Sequence, residues 1–271
     1  MTPLSLKRPL VSVVMPTYNY AQFIEDAIRS VLDQTYENIE LIIIDNYSKD
    51  NTEDIVASFG DARIKYKKFR NNGIIAASRN VGISESHGKY IAFLDSDDMW
   101  KPAKIEKQIK LLEEDDNIFL VYSRYVIIKD GHLSRIHPKG KNLSSGNVFV
   151  PLFLSNNFIG SGTVLMKNDL KQNNFMFDTD MKLITVEDYD LWLRISKKKR
   201  ISYIDEPLAV YREHGGNSTM GIRPLLLKNL QVANKYRHDV NGFLLIRKYL
   251  LLFMTLCLLV IKKILGRLFI I

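Results

Sequence analysis

Residues 89–100 read KYIAFLDSDDMW. Lys89 to Leu94 lacks the polar alternation of a half-exposed strand, so it predicts a strand buried on both faces, with carboxylates crowding its carboxyl end. Two earlier runs have the same character: LVSVVM at 10–15 and IELIII at 39–44. RIKYK at 63–67 alternates as an edge strand does. Between the first two strands, Phe23, Ile24, Ala27, Ile28, Val31 and Leu32 share one face of a helix spanning 21–32. Asx and Ser capping chemistry over 48–54 opens a short helix that runs to Phe59. A further helix covers about 74–86. Strand and helix alternate from the first strand to the fourth within about 95 residues. That order predicts an α/β fold, an open and mostly parallel sheet with helices on both faces.

In such sheets ligands bind beyond the carboxyl ends of the strands. Those ends read Pro16-Thr17-Tyr18-Asn19, Asp45-Asn46-Tyr47-Ser48 and Asp95-Ser96-Asp97-Asp98, three polar clusters lining one cleft. No GxGxxG follows the first strand, which disfavours a dinucleotide site, and GxxxxGK[ST] is absent. A diphosphate bound without a glycine-rich cradle needs a cation. Asp95-Ser96-Asp97 offers carboxylates two residues apart, able to reach a hard divalent ion and a ribose together. A nucleotidyltransferase would carry a glycine-rich basic loop where this chain has PTYNY.

The later chain predicts a helix from Trp100-Lys101-Pro102 through Leu112, strands near 118–125, 159–166 and 201–211, and a helix over 188–196. Residues 129–160, rich in Gly, Asn, Ser and Pro, read as a loop-dominated connection, and everything past Pro224 reads helical. The single cysteine, Cys257, rules out an internal disulfide framework. The first residues read as a strand, without a signal peptide's separate apolar region and cleavage site. Of 38 basic and 30 acidic residues, nine and one lie past Glu213, leaving 29 of each in residues 1–213. The body is therefore neutral, which argues against nucleic acid as a partner.

The segments VSVVMPTYNY, IELIIIDNYSKDNT, NNGIIAASRNVGI, KYIAFLDSDDMW, EDYDLWLRI and YREHGGNST occur in this order. In sequence and spacing they resemble family 2 glycosyltransferases of the GT-A fold, over about residues 8–220. The resemblance implies an inverting transfer of sugar from a nucleotide-sugar, with a Rossmann-like domain over 1–222. Its donor half is about 8–100 and its acceptor half about 101–222. Thr17, Tyr18 and Asn19 then line the nucleoside pocket, Tyr18 stacking on the base. Asp45-Asn46 matches a position where many relatives have two aspartates. Asn46 still offers an oxygen to uracil N3–H, yet its amide also suits another base edge; a UDP-sugar is the leading donor. Asn72 and Arg79 fall in the matching segment NNGIIAASRN at 71–80, Arg79 as a cation toward the donor or as a structural ion pair. Asp95, with Ser96, meets the ribose, and Asp97 holds the metal, Asp95 and His214 completing its shell. This donor set suits Mn2+ or Mg2+. Asp98 is either a further ligand or a helix cap.

Asp188 matches the family's base, which takes the proton of the acceptor hydroxyl. At the start of the 188–196 helix it is expected to stay ionised. Glu187 and Asp190 orient it or face solvent, and Trp192 reads as core or acceptor wall. Lys197-Lys198-Lys199-Arg200 reads as a solvated helix end.

YLLLFMTLCLLVI at 249–261 is an apolar run between Arg247-Lys248 and Lys262-Lys263. A spanning helix needs about 20 residues, so residues 223–271 read as an interfacial or re-entrant anchor on an anionic membrane surface. The alternative is a helix buried between subunits of an oligomer. These readings place the chain on the cytoplasmic face of a membrane, peripheral or monotopic, such as a bacterial inner membrane. The acceptor is then a glycan or a lipid-linked glycan.

Overall fold

The computed structural model describes residues 8–139, 143–215 and 222–268. Strands β1 (Val11–Thr17), β2 (Ile39–Asp45), β3 (Ile64–Lys68) and β4 (Tyr90–Phe93) pair in parallel in the order β3-β2-β1-β4. Helices α1 (Ala21–Leu32), α2 (Thr52–Ser58) and α3 (Ile75–Glu85) connect them. Every residue of β1 and β2 is buried, as their unbroken apolar runs require. Val11, Val13 and Met15 join one core with Ile24, Ala27 and Ile28 of α1, while Val14 joins the other with Ala76 and Ile83 of α3. A Cβ on Gly82 would lie 2.2 Å from a methyl of Val14. Glycine there lets α3 sit directly on β1. The chain departs from β1 to opposite sides, to β2 and to β4, so a crevice opens between their carboxyl ends.

Past β4 the sheet becomes mixed. Strands β5 (Met99–Trp100), β6 (Ile118–Lys129), β7 (His132–His137), β8 (Leu165–Lys167) and β9 (Arg200–Glu213) extend it as β4-β8-β6-β9-β5, with β7 also on β6. β8 runs antiparallel to both neighbours and β5 antiparallel to β9, while β6 and β9 are parallel. The 3₁₀ turn Ser161–Thr163 touches β4, β6 and β9, so the sheet curls around it. Helices α4 (Lys104–Glu114), α5 (Phe149–Ser155) and α6 (Glu187–Ser196) complete this half.

Two readings change here. The 129–160 region, expected to be loop, carries β7 and α5. β7 is exposed along nearly its whole length, so no buried face marks its period, and Pro151 in the first turn of α5 disguised a helix that tolerates it. The strand expected at 159–166 shrinks to Leu165–Lys167, because Gly160-Ser161-Gly162 leads into the 3₁₀ turn instead.

Helices α7 (Ile222–Lys235) and α8 (Gly242–Leu268) form the tail. Asp190, fully buried, accepts from Tyr236 Oη at 2.9 Å and Arg194 Nε at 2.9 Å and pairs with Lys235 Nζ at 2.6 Å. Asp190 therefore staples α6 to α7 and does not face solvent. The pair Arg247-Lys248, expected to flank a membrane surface together, is split. Adjacent helical residues point about 100° apart, so Arg247 is exposed while Lys248 is fully buried. Burial draws the Lys248 ammonium down to about 7. Phe243, Ile246, Leu250, Phe253, Met254 and Leu258 are exposed along α8. Gly242–Leu259 averages a hydropathy of 1.9 over 18 residues with 11% buried, long and apolar enough to cross a membrane by length and composition.

Candidate active site

The loops after β1 and β2 are laced together. Asn19, at φ 54°, accepts from the Lys49 amide through Oδ1 at 2.8 Å and donates its own amide to Ser48 Oγ at 2.8 Å. Asp45, fully buried, accepts from Ser48 Oγ and from Tyr66 Oη, both at 2.6 Å. Asn46 Oδ1 accepts from the Asn71 amide at 2.9 Å, and Asn71 Nδ2 donates to Ser78 Oγ at 2.8 Å. Asn72 is an exposed turn residue at φ 52°. Asn19, Asp45 and Asn46 thus already bind the protein itself. Asn71, which begins the N-x-G of NNGIIAASRN, joins Asn46 to α3 where Asn72 was the expected residue.

Thr17 Oγ1 and Ser96 Oγ are different. Both are buried and lack a hydrogen-bond partner among the described residues. A stranded buried hydroxyl is costly, and these two sit at the carboxyl ends of β1 and β4, beside the crevice. Tyr18, the residue after Thr17, leaves 46% of its surface exposed. Arg79 Nε and Glu187 Oε2, on residues of the neighbouring cavity wall, are likewise buried without a partner among the described residues.

The turn after β4 concentrates negative charge. Asp97 Oδ2 lies 3.1 Å from His214 Nε2, and the imidazole is packed against Phe23 with centroids 4.4 Å apart. Burial, then repulsion from Asp95, lifts the Asp97 carboxyl above its ordinary range, and His214 draws it partly back. Asp98 accepts from the Arg212 amide at 3.0 Å, tying the turn to β9. Burial, with Asp97 and Asp95 beside it, holds its carboxyl well above the usual range. The same surroundings push the Tyr20 hydroxyl up to about 12, burial first and Asp97 next.

Arg79 joins the two carboxylate sites that the sequence sets far apart. It is buried on α3, donating to Asp95 Oδ1 at 2.8 Å and to Glu187 Oε1 at 2.7 Å. Burial alone would lower its pKa, but Asp95 and Glu187 together carry it above its ordinary value. Asp95 is therefore held toward Arg79. Among the described residues no three ligating side chains stand preassembled around one point. Asp97 and His214 nevertheless fit a cation: cis ligands about 2.1 Å from an octahedral ion lie roughly 3 Å apart. The crowded, buried carboxylates would be relieved by positive charge.

Asp188 is the second residue of α6, its Oδ2 receiving Asn157 Nδ2 at 3.0 Å and Ser161 Oγ at 3.2 Å, while Oδ1 receives the Tyr189 amide at 2.6 Å. Its carboxyl is raised to about 7, first by burial, then by repulsion from Glu187, against the pull of Arg79. The expectation that the helix N-terminus keeps it ionised is thus corrected, because desolvation outweighs the dipole. A carboxyl near 7 has the basicity that proton abstraction at neutral pH requires. Three residues earlier, Thr185 holds φ 75°, an outlier for a β-branched residue. Trp192 is core, fully buried with Nε1 donating to Ile159 O at 3.0 Å.

A cavity of about 470 Å³ opens beside the Arg79 bridge and Asp188, its wall including Arg79, Asp95, Asn157, Asp188, Arg135 of β7 and Tyr211 of β9. Thr17, Tyr18, Asn46, Asp97 and His214 are not among its lining residues.

The model of glycosyl transferase family 2 matches residues 12–187. The E. coli enzyme WfgD, a UDP-Glc:alpha-D-GlcNAc-diphosphoundecaprenol beta-1,3-glucosyltransferase, is 38% identical over 196 residues, 72% of this chain and 73% of that one. TuaG of Bacillus subtilis, a putative teichuronic acid biosynthesis glycosyltransferase, is 35% identical over 76% of this chain and 79% of its own. An uncharacterised glycosyltransferase of Rickettsia prowazekii is 37% identical over 78% of this chain, which spans 66% of its length. Among solved structures, S. aureus TarS 1–349 in complex with UDP-GlcNAc superposes with a TM-score of 0.68 at 19% identity, over 90% of this chain and 70% of that one. The mannosyltransferase PcManGT from Pyrobaculum calidifontis, in complex with GDP-Man and Mn2+, gives 0.65 at 17% identity, over 91% and 70%. At such identities the likeness establishes the fold, which is GT-A.

Proposed function

The chain belongs to glycosyl transferase family 2, and we propose that within it this protein transfers a sugar from a nucleoside-diphosphate sugar to an acceptor hydroxyl by inverting displacement. The observation that carries this reading is the Asp95–Arg79–Glu187 bridge, which brings Asp95 and Asp188 onto one cavity wall. Residues 8–100 hold the donor and residues 101–222 the acceptor. Thr17 and Ser96 supply unused hydroxyls and Tyr18 a stacking face. Asp188 takes the proton of the acceptor hydroxyl as its oxygen bonds to the anomeric carbon. The bond from that carbon to the diphosphate breaks, and its electron pair leaves on the nucleoside diphosphate. Asp97 and His214 would hold a divalent cation, Mn2+ or Mg2+, which when bound neutralises the leaving diphosphate. Arg79 keeps Asp95 in place and lowers the negative field at Asp188.

WfgD, by its name, acts on a diphosphoundecaprenol-linked acceptor, and TuaG is named for teichuronic acid biosynthesis. With the exposed apolar face of α8, these names support a lipid-linked or surface-glycan acceptor in cell-surface polysaccharide assembly. The proposal includes a monotopic seat on the cytoplasmic face of a membrane, made through the exposed apolar side chains of α8. TarS was solved with UDP-GlcNAc and PcManGT with GDP-Man, so both uridine and guanosine donors occur on this fold. The test is a thermal-shift screen of nucleotide-sugars with manganese. A UDP-sugar should raise Tm only when the metal is present; stabilisation by no nucleotide-sugar would overturn the reading.

A further inference from the structure

Lys248 is a basic residue of the tail that reaches the body of the enzyme instead of its surface. Its ammonium donates to Asn156 Oδ1 and stands 5.6 Å from the Phe153 ring and 5.8 Å from the Tyr189 ring. Asn156 ends α5 at φ 62°, ψ −172°, a conformation that only glycine adopts readily and that persists where neighbours impose it. The next residue, Asn157, donates Nδ2 to Asp188 Oδ2 at 3.0 Å and accepts the Ile159 amide at 3.1 Å. Tyr189, whose ring Lys248 faces, directly follows Asp188 and bonds back to the Leu152 and Phe153 carbonyls at 3.1 and 3.2 Å. Lys248 therefore bonds to the residue before Asn157 and faces the ring of Tyr189, the two residues whose donors meet Asp188 Oδ2 and Oδ1.

We propose that Lys248 is a positioning residue for Asp188, through which helix α8 sets the geometry of the base by way of Asn156 and Asn157. The inference rests on Asp188 being the base. It gives the tail a part in turnover as well as in location. The helix with the exposed apolar face is also the one that holds the base-bearing loop. Removing residues 243–271 is then expected to slow catalysis, and not merely to release the body from a membrane.

The test uses the full chain, manganese, and UDP-glucose or UDP-N-acetylglucosamine, whichever binds, with water as acceptor hydroxyl and UDP release as the readout. Lys248→Met keeps length and apolar packing but removes the donor. We expect kcat to fall about tenfold with KM for the donor changed by less than about twofold, because the lost contact acts on the transition state alone. Lys248→Arg should recover part of the rate. Asn156→Gly relieves the backbone while removing the acceptor, so Tm should hold or rise as kcat falls. Combining it with Lys248→Met should add no further loss. Unchanged kcat in either single variant, or additive losses in the double, overturns the proposal; Asn156→Gly decides alone if Lys248→Met does not fold. Failure of the base reading is separate and shows as retained turnover in Asp188→Asn.

Discussion

The two halves of the sheet build their polar residues into the fold in different ways. In the parallel half, β1 to β4, polar residues follow apolar runs and bond mainly to neighbouring strand-end loops. Asn19 ties to Lys49, Asp45 to Ser48 and Tyr66, and Asn46 to Asn71. In the mixed half, the groups around Asp188 come from Asn157, Ser161, Glu187 and, through Asn156, Lys248. The first half is a scaffold that leaves a few hydroxyls unused. The second assembles the carboxylate raised to about 7 from groups on several elements, whereas the raised carboxyls Asp97 and Asp98 at the end of the first share a single turn. A polar residue at a strand end is therefore as much a fastener of the loop as a ligand for the substrate, and only its remaining hydrogen-bond capacity separates the two roles.

The sharpest way to break that contrast is at Asp97. Asp97→Ala should remove both transfer and metal-dependent nucleotide binding; full activity in this variant, or in wild type with excess chelator, would show the strand-end carboxylates to be scaffold throughout. Asp188→Asn is expected to lower turnover by about 10²–10⁴ while donor affinity persists. Equal collapse of donor binding would make Asp188 a fastener too. The pH profile sharpens the same point. With the Asp188 carboxyl raised to about 7 by burial and Glu187, the deprotonated, active form is lost as pH falls through that value. Turnover should then drop roughly tenfold per unit below 7 and level off above it.

A smaller effect is expected at the joint between the halves. Arg79→Met leaves Glu187 buried without its cation, and Asp95, with a side chain 32% exposed, keeps some water. A loss of about 3 kcal/mol, the low end for a broken buried pair, should appear in urea unfolding. At the tail, full-length protein should pellet with anionic vesicles and be only partly released by high salt. Arg247→Glu should weaken that binding, whereas Lys248→Met should leave it unchanged. A protein that stays in the supernatant, and a truncation that breaks a dimer, would assign the apolar face to an oligomer. The smallest effect is at Asn46. Asn46→Asp retains the oxygen that receives the Asn71 amide, so UDP affinity should change by less than about twofold. A large loss, with guanosine nucleotides preferred in wild type, would point away from a uridine donor.

Much of this molecule was decided by sequence alone. Buried parallel strands announce themselves because both faces must be apolar, so VSVVM, IELIII and KYIAFL fixed the order of the first half and the cleft at its carboxyl ends. The motifs carried the family, and they named Asp97, His214 and Asp188 as residues worth following. Tertiary structure decided what local pattern cannot encode. Arg79 meets Glu187 across 108 residues and Lys248 meets Asn156 across 92. Such partners leave no periodic trace, because each is one polar side chain whose meaning depends on what lies opposite. The Asp188 pKa is the same kind of fact. A helix N-terminus argues locally for an ionised carboxylate, but burial and Glu187 outweigh it, and burial is a property of the packed whole.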